Sequence, residues 1–343
     1  MEFTRAAQEQ DGWPRPLTGD LAYLRTAIVN VFFYGRADAG DRAWVLIDAG
    51  LYGTAHQIAS AAEERFGTGN RPAAIVVTHG HFDHVGALKE LAETWDVPVY
   101  AHPLELPYLT GRSSYPPPDP TVGGGALAAL SFLYPRGPID LGERVRALPE
   151  DGSVPGMPGW RWIHTPGHTA GHVAFFRDED RTLIAGDAFV TTKQESALSV
   201  MAQRAEVHGP PAYYTPDWGA ARRSVEQLAA LEPRVAATGH GPPLEGEAML
   251  HQLRVLARDF DRLAVPESGR YVNHPARADA SGVTFVPPAP SDPTRLALLG
   301  LGAAVVAGAL LGSRSGRPKR RRRPPQVHRR SHPPREHRHS RPR

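Results

Sequence analysis

Between residues 79 and 84 the chain reads His79-Gly80-His81-Phe82-Asp83-His84, so three imidazoles and a carboxylate fall within six positions. Side chains two apart on extended backbone leave on the same side, which aims His79 and His81 together. Asp83 and His84 stand where a helix would begin and turn toward a neighbouring point. Ordinary packing does not concentrate such groups, whereas metal binding does. The chain has 16 His and no Cys. Disulfides, thiolate metal sites, cysteine nucleophiles and iron–sulfur clusters are thereby excluded, and any metal site must be built from imidazole and carboxylate.

Such a cluster needs rigid support. The apolar run Ala73–Val77 leads into it as a strand, and Val85, Leu88, Leu91 and Trp95 give the next segment one apolar helical face. The same plan occurs earlier in the chain. Residues 43–47 are an apolar strand ending at Asp48, and Ala55, Ile58, Ala59, Ala62 and Phe66 line a helix stopped by Gly67. Thr54 and Gln57 have the spacing of a capping box. Residues 21–33 read as strand, as do 97–101, the segment from Trp160, 172–176, 182–186 and 235–238. Helices are expected over 217–231 and 247–263. Strands alternating with helices argue an α/β protein with mixed sheets.

The charge is unevenly divided. Of 39 Lys/Arg and 36 Asp/Glu, thirteen basic and one acidic fall in residues 313–343, so this tail carries +12. The remaining 26 basic and 35 acidic groups leave the body at −9. A nucleic-acid partner for the body is therefore not supported by the overall basic balance. Residues 296–312 are apolar and uncharged, and 17 residues of helix would span roughly 25 Å, slightly short of a bilayer core of about 30 Å. With the Arg cluster beside it, this segment predicts association with an anionic membrane surface. The N-terminus lacks the apolar stretch of a secretory signal. The expectation is a body otherwise in the cytoplasm, with membrane orientation left open.

The stretch Thr78–His84 resembles the H-x-H-x-D-H motif of the metallo-β-lactamase superfamily. Further motifs of that family follow in order: Asp48 closing an early strand, His168 in Thr165-Pro166-Gly167-His168-Thr169, Asp187 in Ala185-Gly186-Asp187, and His240 in Gly239-His240-Gly241. The resemblance implies a four-layer αββα sandwich of two mixed β-sheets flanked by helices. It also implies two metal ions, one on His79, His81 and His168, the other on Asp83, His84 and His240, with Asp187 bridging. Asp48 would orient a metal-bound histidine from behind. Two Zn2+ per chain are expected, with iron or manganese as alternatives. Antibiotic-cleaving members often carry Cys or Ser where Asp187 stands, and lactonases commonly carry Tyr at the position of Val190. The motifs look most like the glyoxalase II-like branch.

The function implied is hydrolysis of a small ester, thioester or lactone-type substrate by a metal-bound hydroxide, with Asp83 moving a proton. Two alternatives use the same sequence differently. One is a mononuclear iron oxidoreductase of persulfide dioxygenase type on His79, His168 and Asp187. The other is an adaptor binding anionic lipid or nucleic acid through the tail. His172, which opens an apolar strand, is read as a packed histidine, and His102, His164 and His208 as packed or surface residues. The expected organisation is a catalytic domain over 1–263, a Pro-rich linker over 264–293, the apolar segment 294–312 and a disordered tail over 313–343. Within the first, 104–159 is an irregular insert. The insert and 191–216 are expected to hold the substrate determinants; their Tyr108, Tyr115, Phe132, Tyr134, Tyr213 and Tyr214 either form an apolar lid or pack the insert on the body.

Overall fold

Neighbouring side chains on single strands enter different cores, which shows that the strands are buried on both faces. Phe33 and Leu46 pack with Ile58, Phe66, Leu88 and Trp95 on one side. Phe32, Val45 and Ile47 pack with Val173, Phe175 and Ile184 on the other. The second set is the interior of a sandwich, in which two sheets meet face to face. A third core, with Leu183, Phe176, Val225, Leu228, Leu253 and Phe260, covers the outer face of the second sheet. A computed structural model describes residues 13–290.

The first sheet runs β1 (Arg15–Pro16), β2 (Leu21–Thr26), β3 (Val29–Tyr34), β4 (Val45–Ile47), β5 (Ala74–Val76), β6 (Val99–Ala101) and β7 (Val145–Ala147), in that spatial order. The strands β1 to β4 pair antiparallel, and β4 to β7 pair parallel. The second sheet contains β8 (Trp160–His164), β9 (Val173–Arg177), β10 (Thr182–Gly186), β11 (Val235–Thr238) and β12 (Leu244–Glu245), ordered β12-β11-β10-β9-β8. Only β10 and β11 pair parallel there. Helices Ala55–Phe66 and Leu88–Trp95 cover the first sheet, and Trp218–Ala230 and Gly246–Arg258 cover the second. The expected αββα layering is thus observed.

Several details differ from the sequence reading. Residues 21–33 are two strands, because Ala27 takes a left-handed φ of 59° and turns the chain into a hairpin. Thr54 stands at the helix start without capping it; its hydroxyl donates to the Leu51 carbonyl instead. The end of the insert is not a mere loop, since β7 extends the first sheet at its edge. The segment expected as linker is packed and structured through residue 286. Tyr271 is buried in the third core, and β13 (Arg277–Asp279) pairs with β14 (Gly282–Phe285). The Tyr271 hydroxyl donates to the Pro117 carbonyl at 2.6 Å, which ties this segment to the insert. Among the described residues no helix is long and apolar enough to cross a membrane. The apolar segment and the Arg-rich tail lie outside the described residues.

Candidate metal centre

The motif residues lie on segments that leave the C-terminal ends of strands, so two rigid sheets present them from one edge. Asp48 follows β4, His79 follows β5, Asp187 follows β10 and His240 follows β11, while His168 lies in the loop joining β8 to β9. His81 precedes the short helix Phe82–Val85, which carries Asp83 and His84. All eight are buried. Within this cluster the ligand-type atoms of His79, His81 and His168 lie within 4.8 Å of one another, as do those of Asp83, His84 and His240, and those of His79, His84 and Asp187.

The distances define two adjoining sets. His81 Nδ1 is 2.9 Å from His168 Nε2 and 3.1 Å from His79 Nε2. His240 Nε2 is 3.3 Å from Asp83 Oδ2. Asp187 Oδ2 stands between the sets, 3.4 Å from His168 Nε2, 3.1 Å from His240 Nε2 and 3.6 Å from His84 Nε2.

In His79, His84, His168 and His240 the inward-facing Nε2 is aimed by what Nδ1 meets. Asp48 accepts from His84 Nδ1 at 2.8 Å and from both the backbone N–H and the hydroxyl of Thr78. The Thr78 hydroxyl, donating to Asp48, can only accept from His79 Nδ1, at 3.1 Å. One carboxylate therefore fixes a histidine of each set and leaves both Nε2 atoms facing inward. His240 Nδ1 donates to the Ile28 carbonyl at 2.7 Å. The loop around His240 is clasped by Asn30, whose side-chain amide donates to the carbonyls of Thr238 and Gly241 at 2.9 and 2.7 Å. His168 Nδ1 lies 3.4 Å from the Thr215 hydroxyl, which itself donates to the Pro211 carbonyl.

The electrostatics fit cation binding. Burial holds His79, His81 and His168 well below the ordinary imidazole range, so they are neutral and offer lone pairs. Burial alone would also lower His84 and His240, but the adjacent carboxylates outweigh it. Asp187 and Asp48 push His84 up, and Asp187 and Asp83 push His240 up to about 10. In a chain without metal, protons thus take the positive role among these carboxylates. His84 Nε2 and Asp187 Oδ1 are buried with no hydrogen-bond partner. Buried polar atoms are seldom left so, and a cation among them would satisfy both.

His172 is buried here without joining either ligand set. Its Nε2 accepts the Asp187 backbone N–H at 2.9 Å and its Nδ1 meets the Thr165 hydroxyl, so it holds the loop that presents Asp187. His102 and His164 stack on each other at 4.2 Å, apart from the two sets. His208 faces Glu206 at 3.3 Å. Sequence reasoning missed Asn30, Thr78, Glu105 and Thr215 as supports. Glu105 alone carried a signal, as a lone carboxylate between Leu104 and Leu106.

A cavity of about 480 Å³ opens beside His81 and His168. Of the aromatics named above, Tyr108, Tyr115 and Tyr214 line it. Tyr115 and Tyr214 flank the His81 ring at 4.6 and 4.4 Å. Tyr213 and Tyr134 pack behind Tyr214, and Phe132 is exposed.

A family model described as the metallo-β-lactamase superfamily matches residues 24–240. The probable metallo-hydrolase YflN of Bacillus subtilis is 50% identical over 234 residues, covering 68% of this chain and 88% of that protein. A second probable metallo-hydrolase of the same organism, YybB, is 33% identical over 124 residues, 36% of this chain and 49% of that protein. Among solved structures, a β-lactamase domain protein from Burkholderia ambifaria shares the fold, with a TM-score of 0.50 at 18% identity over 73% of this chain and 77% of that one. With the motif residues gathered at one sandwich edge, a family model matching most of the chain and a probable metallo-hydrolase 50% identical over 234 residues, the chain belongs to the metallo-β-lactamase superfamily of metal-dependent hydrolases.

Proposed function

We propose that the chain is a dinuclear metallo-hydrolase acting on a small ester, thioester or lactone-type substrate admitted through the cavity beside His81 and His168. His79, His81 and His168 would hold one ion, and Asp83, His84 and His240 the second, with Asp187 shared. The observation that carries the reading is the position of Asp187 Oδ2, within 3.1–3.6 Å of one histidine of the first set and two of the second. Two such divalent ions, when bound, acidify a water between them and polarise the substrate carbonyl.

The remaining work belongs to the chain. Asp83 is the most exposed carboxylate of the sets, its side chain 11% exposed against 2% for Asp187. It is placed to take the proton of the attacking water and return it to the leaving group. Tyr115 and Tyr214 cover the His81 ring and keep bulk water from that side. The cavity volume suits a small molecule, and its tyrosine and proline lining favours an apolar acyl or leaving group.

The test is metal analysis of the purified full chain joined to a panel of ester, thioester, lactone and phosphodiester substrates. Two zinc ions per chain, hydrolysis abolished by chelation and restored by zinc or manganese, are expected. Full activity in a metal-free preparation refutes the reading. One iron per chain with oxygen consumption replaces it by the oxidoreductase alternative. For the tail, the +12 charge supports binding to an anionic membrane. Flotation of the full chain with anionic vesicles, but not of a 1–293 truncation, is expected; equal behaviour of the two refutes it.

A further inference from the structure

We infer that Glu105, a residue of the insert outside every ligand motif, is a positioning residue that sets the spacing of the two loops holding the first metal-ligand set. The inference rests on the metal-centre reading above. Glu105 is fully buried at the start of the insert. One of its oxygens accepts the Gly80 backbone N–H at 3.0 Å and the Tyr115 hydroxyl. The other accepts the Thr169 hydroxyl at 2.7 Å and the Gly171 backbone N–H at 2.9 Å. A carboxylate has about four acceptor sites, and here four donors fill them.

Gly80 lies between His79 and His81, while Thr169 and Gly171 closely follow His168. The three imidazoles that close to 2.9–3.1 Å therefore stand on two loops joined through one side chain. The glycines show how close the clamp is. A Cβ on Gly80 would lie 2.6 Å from the Tyr115 hydroxyl, and one on Gly171 would lie 2.8 Å from Glu105 Cγ. No side chain fits at either position without moving Glu105 or Tyr115. Tyr115 also packs its ring edge-on to His81, so the clamp touches the ligand set from two directions. The second set has supports of its own in Ile28 and Asn30, while Asp48 serves a histidine of each set.

The discriminating substitution is Glu105→Gln, which keeps the shape. An amide has one acceptor oxygen and an NH2. Hydroxyls of Tyr115 and Thr169 can rotate to accept, but in one orientation of the amide the Gly171 N–H faces another donor, and in the other the Gly80 N–H loses the carboxylate and keeps only the Tyr115 hydroxyl at 2.9 Å. Zinc affinity, measured by chelator competition on the full chain, is the readout. One of the two ions should bind about tenfold or more weakly, the scale for groups that hold a ligand in place, while the other keeps its affinity. Thermal unfolding of the metal-free variant checks that the fold persists. Two unchanged affinities in a folded variant overturn the inference, as does equal weakening of both.

If Glu105→Gln does not fold, Tyr115→Phe combined with Thr169→Val removes two of the four donors and decides in the same way. If the wild-type chain takes up no zinc, the proposed function fails, and the clamp is then read from the ring 15N signals of His79, His81 and His168. Signals unmoved in metal-free Glu105→Gln overturn it.

Discussion

The two ligand sets draw on the same kinds of residue yet differ in charge. His79, His81 and His168 form a set of neutral imidazoles, each kept uncharged by burial. Asp83, His84 and His240, with Asp187 against them, form a set in which carboxylates hold two imidazoles protonated until a metal arrives. The supports differ likewise. Beyond Asp48, which serves a histidine of each set, the Glu105 carboxylate gathers backbone N–H groups and hydroxyls beside the first set, and the Ile28 carbonyl and the Asn30 amide meet His240 and its loop in the second. The lesson is that similar donors, placed next to or away from carboxylates, make one site that attracts cations by lone pairs and another that attracts them by charge.

Acid should break this contrast most visibly. In the metal-free chain His79, His81, His168 and the supporting His172 have folded pKa values far below the unfolded one, so only the unfolded state takes up their protons as pH falls below about 6.5. Stability then falls with pH, by roughly 1 kcal/mol per pH unit for a group titrating alone. His84 and His240 have raised values and act oppositely. Their contribution is complete below about 6.5 and fades as pH rises, toward about 10 for His240. Unfolding midpoints of chelator-treated protein should peak near the ordinary imidazole pKa and fall more steeply on the acid side. A profile flat between pH 5 and 8 would contradict the assigned charge states.

Asp187→Ala removes the carboxylate common to both sets. A loss of about 10³-fold in kcat/KM, with fewer ions retained per chain, is expected on the scale of deleting one group that holds developing charge. Near-normal turnover with two ions bound would show that the sets work independently. A subtler change is Asp48→Asn, because Asn also tolerates the left-handed φ of 58° found at this position. It cannot accept from His84 and twice from Thr78 as the carboxylate does, so metal affinity should drop about 10- to 100-fold. Since Asp48 serves a histidine of each set, both ions should be affected, unlike the outcome for Glu105→Gln. The smallest effect expected is for Asn30→Ala. Two neutral hydrogen bonds to the His240 loop are lost, costing about 2 kcal/mol in denaturant stability. Any loss of metal should fall on the second set alone.

The proposed ligand residues are legible in the sequence because they are distinctive polar side chains that follow apolar runs. Strand periodicity locates the runs, and donor type indicates the chemistry. Glu105 and Asn30 escape because their partners are chiefly backbone groups. A peptide N–H or carbonyl has no identity in a sequence, so nothing at Gly171 or Thr238 announces who will bond to it. The β13–β14 hairpin escapes for another reason. Its strands are short, largely exposed and set among prolines, which gives no alternation to detect.

The Asn30 clasp has a bearing on how the protein is made. During synthesis Asn30 leaves the ribosome 208 positions before Thr238 and 211 before Gly241. Four of the seven proposed ligands emerge early, on the His79–His84 stretch, but the last histidine and the residue that holds its loop come from opposite ends of the catalytic chain. In a short zinc finger, the ion can draw a few neighbouring residues into shape. Here the first sheet must wait for the end of the second, and the cost of closing so long a chain has to be met by the hydrophobic sandwich. Metal capture in this protein should therefore mark the end of folding rather than its beginning.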